Sequence, residues 1–112
     1  MRHERLFGFD VSRRGAYVVV HPEGELDIAA VPALCARVRQ AADRSPRIVV
    51  DLRDVTFMDT FALRALVALQ VEAETSGGWQ LHVVPGAGIQ RTLDVVRGRH
   101  EIRWIAAEQL VQ

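Results

Sequence analysis

The stretch RIVVDLRDVTFMDTFALRALVAL, Arg47 to Leu69, changes character twice, and its reading decides the fold. It begins with β-branched residues, Ile48-Val49-Val50, inside an apolar run from Arg47 to Leu52 that Asp51 closes. A run of this kind, apolar on both faces, is a central strand of a parallel sheet. A loop follows, carrying Asp51, Asp54 and Asp59. From Thr60 the apolar residues return at helical spacing: Leu63, Leu66 and Val67, then Leu69 or Gln70, with Ala73 below. This helix is expected to run from Thr60 to about Ser76, with Gly77-Gly78 as its stop. A hydroxyl at a strand–loop–helix junction can be a nucleophile, a phosphate-accepting switch or a helix cap. Asp and Thr are both preferred caps, so Asp59 or Thr60 could fill that place.

Upstream, Leu6 to Val11 alternates with strand period, Ser12-Arg13-Arg14-Gly15 reads as a turn, and Ala16 to His21 reads as a second strand. The pair forms an antiparallel hairpin, which Pro22 is expected to end because it cannot donate to a ladder. Pro32 sets the start of the first helix near Val31, which leaves Asp27 in the preceding loop. Asp27 is then either an Asx-turn or an exposed carboxylate on a binding face. Val31, Leu34, Cys35, Val38 and Ala42 make the apolar stripe of that helix, and Ser45-Pro46 ends it. Downstream, Gln80 to Val84 is a strand. Pro85 to Gly88 opens a third helix with Ile89, Leu93 and Val96 as its stripe and Gly98 as its cap. Ile102 to Ile105 is expected as an edge strand and Ala106 to Val111 as a short helix. Alternating strands and helices after a hairpin imply an α/β fold with a mostly parallel, mixed sheet.

The composition narrows the function. At 112 residues, 49% of them hydrophobic, the chain is one domain with material for one core. Its net charge of zero argues against nonspecific nucleic-acid binding, which needs a concentrated positive field. All 14 cationic residues are arginine, which excludes a P-loop lysine and a Schiff base. A single cysteine, Cys35, excludes an internal disulfide and fits a reducing compartment. The amino terminus has no apolar signal core, and no apolar run approaches the roughly 18 residues of a membrane span, so a soluble cytoplasmic protein without membrane insertion is expected. His3, His21, His82 and His100 lack ligand spacing with one another or with Cys35, so no metal or cofactor is expected. Gly86-Ala87-Gly88 has Arg91 where a dinucleotide loop needs its third glycine, and reads as a tight turn. No nucleophile-elbow pattern surrounds Thr60, and an enzyme is not expected.

Two motifs in order, GELD at Gly24–Asp27 and DLRDVTFMDTFAL at Asp51–Leu63, give the chain its resemblance. It resembles the STAS domain of anti-sigma factor antagonists from about Phe7 to Leu110, and the long motif matches in its apolar, acidic and hydroxyl positions together. The resemblance implies a single STAS-like domain over residues 1–112, core about 6–111, with a four- to five-stranded mixed sheet packed with helices. It also implies a binding protein that regulates transcription. Its partner would be an anti-sigma factor serine/threonine kinase that phosphorylates the hydroxyl after the motif aspartate, and a phosphatase would reset it. Carried over, Thr60 is the phosphoacceptor, and Asp27, Met58, Asp59, Thr60 and Phe61 are partner-binding. The chain departs from the pattern at Phe61, where the family has a second serine, and at Ala62, where it has glycine. The alternatives are a non-phosphorylated STAS scaffold or regulatory subunit, as in a lipid-transport ABC complex with its related D-T-G-G-L motif, and a small-ligand or nucleotide-binding domain. Phe57, Met58 and Phe61 leave room for a weak homodimer.

Overall fold

The computed structural model describes residues 7–76, 78–89 and 102–111. Strands β1 (Phe7–Arg14) and β2 (Tyr17–Leu26) form the antiparallel hairpin. Its loop is Gly15-Ala16, later than the expected Ser12–Gly15, and both strands run longer. Gly15 has φ 57°, while Ala16 stays out of the left-handed region. A two-residue loop with glycine in that first position is a type II′ turn, whose twist suits a hairpin.

Strand β2 organises the sheet. One edge carries β1. The other edge is shared by two parallel partners: β3 (Arg47–Asp51) against Val18 to Val20, and β4 (Val55–Met58) against Gly24 to Leu26. Pro22 does not end β2, because it falls in the gap between these two ladders and lies opposite Phe9 on the hairpin side. Strand β5 (Gln80–Val84) pairs in parallel with the far edge of β3, from Arg47↔Gln80 to Asp51↔Val84. The result is a five-stranded mixed sheet ordered β1-β2-β3-β5, with β4 on the end of β2.

Strand β4 lies where the sequence reading has only loop. Its four residues show the burial pattern of Val55 and Met58 in, Thr56 and Phe57 out, which is not strand alternation. Its pairing to β2 supplies what periodicity does not. The expected last edge strand is reduced to one parallel bridge, Trp104 to Val83. Residues Ala107–Val111 form a 3-10 turn. Where a third helix is expected, the described residues hold a 3-10 turn at Ala87–Ile89, and the expected Leu93, Val96 and Gly98 lie outside them.

Helices α1 (Val31–Ala42) and α2 (Thr60–Ser76) both cover one face of the sheet. Leu34 and Val38 of α1 and Leu63, Leu66 and Leu69 of α2 pack on Val18, Val20, Ile48, Val50, Leu81 and Val83. The opposite face holds a smaller cluster, Val19, Val49, Val84 and Leu110, with Tyr17 and Ile105 against it. Ile48, Val49 and Val50 are therefore all fully buried, as the central position requires. Cys35 is half-buried in the α1 stripe, and burial pushes its thiol up from the usual value. The two helices are clamped at their surface by Arg39 and Glu72, at 2.8 and 3.0 Å.

Gly86 has a packing reason. An ideal Cβ there would collide with the carbonyl oxygen of Leu52. The loop after β5 therefore lies directly on the loop after β3, which the Leu52 N–H to Val84 carbonyl bond, 2.9 Å, also fixes. This close approach accounts for the glycine without a phosphate ligand.

Candidate functional site

The β2–β4 ladder ends at Leu26↔Met58, so the residues that follow, Asp27 and Asp59, start two helical segments side by side. Each carboxylate caps its own segment. Asp27 Oδ1 accepts from the Ala29 N–H at 3.0 Å and caps the turn Ile28–Ala30. Asp59 Oδ1 accepts from the Ala62 N–H at 2.9 Å, the N-cap bond to the third residue of α2. The second oxygen, Oδ2, accepts from the Ile28 N–H at 3.0 Å. One side chain thus caps α2 and ties it to the turn after β2. The Asp59 N–H completes the joint by donating to the Leu26 carbonyl at 3.0 Å.

This arrangement assigns the cap to Asp59 and leaves Thr60 as the first helical residue. Thr60 is half-buried, and its hydroxyl makes no hydrogen bond among the described residues. The N–H groups of Thr60 and Phe61 likewise meet no acceptor among them. Around this terminus stand exposed apolar side chains: Ile28 at 58%, Phe57 at 49% and Phe61 at 52%. Met58 does not join them. It is fully buried, because it faces the helix-side core, so it supports the terminus from beneath and cannot touch a partner. Ala62 is also fully buried; a small side chain here lets the first turn of α2 sit on the core.

Ile28 is the site residue that sequence reasoning missed, and Phe57 enters that reading only as a self-association contact. The available signal for Ile28 was its place between a turn-forming aspartate and a proline, in a segment too short to bury it. The place of Phe57 at the site needed the strand β4 to be seen.

The other two carboxylates of the loop are committed elsewhere. Asp51 is buried and takes a two-pronged ion pair from Arg53, with Nη2 at 2.7 Å and Nε at 3.0 Å, as well as the Arg53 N–H at 3.1 Å. Burial alone would raise its pKa; the bonds from Arg53 outweigh that and hold the carboxyl below the usual range. Asp54 lies 2.8 Å from His21 Nε2. The loop is therefore less of an acidic patch than its three aspartates suggest. His82 sits on β5 opposite Val49, with its ring edge-on to Tyr17 at 6.3 Å. Burial pushes its pKa down, assisted by Arg103 and Arg47. Among the described residues, no histidine bonds to Asp59 or Thr60, and no cluster of metal-ligating side chains is found. No described helix is long and apolar enough to cross a membrane.

Known structures share this architecture. An anti-sigma factor antagonist from Mycobacterium paratuberculosis superposes with a TM-score of 0.75 at 24% identity, covering 94% of this chain and 91% of that one. The unphosphorylated form of the anti-sigma factor antagonist SpoIIAA gives 0.67 at 20% identity, covering 91% of each chain. The phosphorylated form of SpoIIAA, a Bacillus cell fate determinant, gives 0.62 at 20% identity, covering 91% of this chain and 95% of that one. At these identities the likeness establishes the fold. No curated protein is significantly similar in sequence. A family profile described as "Mlab, STAS domain" matches residues 9–97, and with that span the chain belongs to the STAS domain family.

Proposed function

We propose that the chain is an anti-sigma factor antagonist: a binding domain that docks an anti-sigma factor kinase on the α2 N-terminus and is switched by phosphorylation of Thr60. The observation that supports this most directly is the division of labour between Asp59 and Thr60. Asp59 holds the cap with one oxygen and the Ile28 turn with the other. The Thr60 hydroxyl beside it has no structural task among the described residues, so it can be modified without uncapping the helix. Ile28, Phe57 and Phe61 supply an apolar rim for a partner, and Asp27 and Asp59 shape the two turns that present it.

The switch follows from charge. A phosphate on Thr60 adds about −1.5 to −2 charge next to the Asp59 carboxylate. The free N–H groups of the first turn stabilise it in the isolated domain, by roughly 1 kcal/mol. A partner seated on Ile28 and Phe61 would instead have to desolvate a dianion beside a carboxylate. A loss of about 2.7 kcal/mol weakens a complex a hundredfold. Binding would thus be lost without refolding the domain.

A second reading has support of its own. Threonine after the aspartate resembles the D-T-G-G-L motif of STAS subunits in lipid-transport ABC complexes, and the matching family profile carries the description "Mlab, STAS domain". In that reading the same face docks a partner and Thr60 stays unmodified.

The deciding experiment is incubation with an anti-sigma factor kinase and ATP, followed by fragmentation mass spectrometry. Phosphate on Thr60 of the wild type and none on Thr60→Ala supports the switch. Equal labelling of both chains removes Thr60 as acceptor. Tight binding of the kinase domain with no labelling favours the second reading.

A further inference from the structure

Strand β1 is the outer strand of the sheet, and its backbone shows which groups face outward. In a two-residue hairpin loop, the flanking residues, Arg14 and Tyr17, form the hydrogen-bonded pair that closes the turn. Pairs alternate from there, so Ser12↔Val19 and Asp10↔His21 are bonded to β2, while Val11↔Val20 and Arg13↔Val18 are not. The N–H and C=O groups of Val11 and Arg13 therefore point away from β2. Among the described residues, no strand pairs with that edge.

Proteins guard such edges with proline, bulges, short strands or a covering element. None of these four is found on β1 among the described residues; a fifth device, charged side chains, is present in the exposed Asp10, Arg13 and Arg14, so the edge admits only a strand whose charges answer them. The strand is eight residues long, its register with β2 runs without a shift, and Asp10 to Arg14 are all exposed. Val11 is 45% exposed at the centre of the edge. Asp10 and Arg14 make no ion pair among the described residues and stand on the same face, since side chains alternate along a strand.

We propose that the outer edge of β1 is a self-association surface, on which a second copy adds its own β1 antiparallel with Ser12 on the twofold axis. Charge selects that register. With Ser12 centred, Asp10 lies opposite the partner's Arg14, and the symmetry repeats the pair. Val11 then lies opposite the partner's Arg13, whose hydrocarbon stem covers it. Centring on Arg13 sets that residue against its own copy, and like charges directly opposite destabilise a ladder. Centring on Val11 leaves Asp10 against Ser12 and Arg14 against Gly8, with neither charge answered. The Ser12 register also brings the outward backbone groups of Val11 and Arg13 together as bonded pairs. The sheet becomes continuous across two copies. Because β1 and β4 lie on opposite edges of β2, the dimer leaves the Asp59–Thr60 terminus free for its partner.

Sedimentation equilibrium from micromolar to millimolar concentration at low salt tests this. Wild type is expected to pass from monomer to dimer, and added salt to reverse it. Val11→Pro removes an outward N–H without touching the β1–β2 ladder, and is expected to stay monomeric with an unchanged far-ultraviolet spectrum. Asp10→Arg and Arg14→Asp are each expected to weaken the dimer about tenfold or more. The double variant, with the charges exchanged, is expected to regain it, and this restoration decides the matter if Val11→Pro fails to fold. A wild type that remains monomeric throughout overturns the proposal. So does a dimer indifferent to these substitutions but broken by Phe61→Ser.

Discussion

Replacing Asp59 with alanine should reveal how much of the domain hangs on one carboxylate. Two hydrogen bonds disappear together: the cap to the Ala62 N–H at 2.9 Å and the tie to the Ile28 N–H at 3.0 Å. Loss of an N-cap costs about 1 kcal/mol. Loss of a backbone bond to a charged acceptor costs about 1.5 kcal/mol at a site that water can reach. The sum is about 2–3 kcal/mol, or a fall of roughly 8–12 °C in melting temperature for a domain of this size. Asp59→Asn separates the two bonds. Asparagine caps as well as aspartate, but its NH2 group would then face the Ile28 N–H, donor against donor. It should therefore lose only the tie, about 1–1.5 kcal/mol. Urea unfolding of the three proteins, followed by circular dichroism, gives both differences. An Asp59→Ala protein within about 0.5 kcal/mol of wild type would sink the argument. So would an asparagine variant as damaged as the alanine one.

Acid should probe Asp51. Its native pKa lies below the ordinary 3.8, so on acidification the unfolded chain takes up the proton first, and stability present above about pH 4 is lost as the pH falls further. Arg53→Ala leaves the buried carboxylate to the backbone N–H alone; it should cost about 2 kcal/mol, with Arg53 itself half-exposed, and move the acid loss to higher pH. Gly86→Ala should destabilise by about 1–3 kcal/mol in urea, since either the Leu52 loop or the β5 loop must shift to admit the methyl. Phe61→Ser should leave stability within about 0.5 kcal/mol, because the ring is exposed, yet weaken binding of an anti-sigma factor kinase at least about tenfold by calorimetry.

The sequence exposes the parts of this molecule that follow from repetition. The central strand at Ile48–Val50 and the helix from Thr60 to Ser76 carry long, one-signed patterns, and both stand as read. The β4 strand escapes because its residues do not alternate; only its neighbour, the end of β2, makes it a strand. Pro22 fails to end β2 for a related reason. A missing N–H matters only where a partner waits for it, and the gap between two ladders cannot be read from one strand. At the site, the choice between Asp59 and Thr60 as cap turns on where the backbone becomes helical: Thr60 is already the first helical residue and Asp59 before it reaches the Ala62 N–H, a boundary that residue preference cannot supply. The resemblance makes Met58 partner-binding, whereas its pairing with Leu26 on β2 sends it into the core.

The divided edge of β2 also bears on how the domain moves. Backbone bonds to β3 stop at Val20, and those to β4 start at Gly24. Between them the sheet is continuous only through β2 itself and the β1 ladder. Two cooperative units are expected from this: a larger one of β2's first half with β3 and β5, and a smaller one of β2's end, β4 and the first turn of α2. Amide protons of Phe57, Met58 and Ala62 should then exchange faster than those of Val49 and Val50, through openings that leave the larger unit closed. Thr60 rides on the smaller unit. An enzyme that needs its hydroxyl in an extended segment would gain access by a partial opening, at a fraction of the free energy of global unfolding.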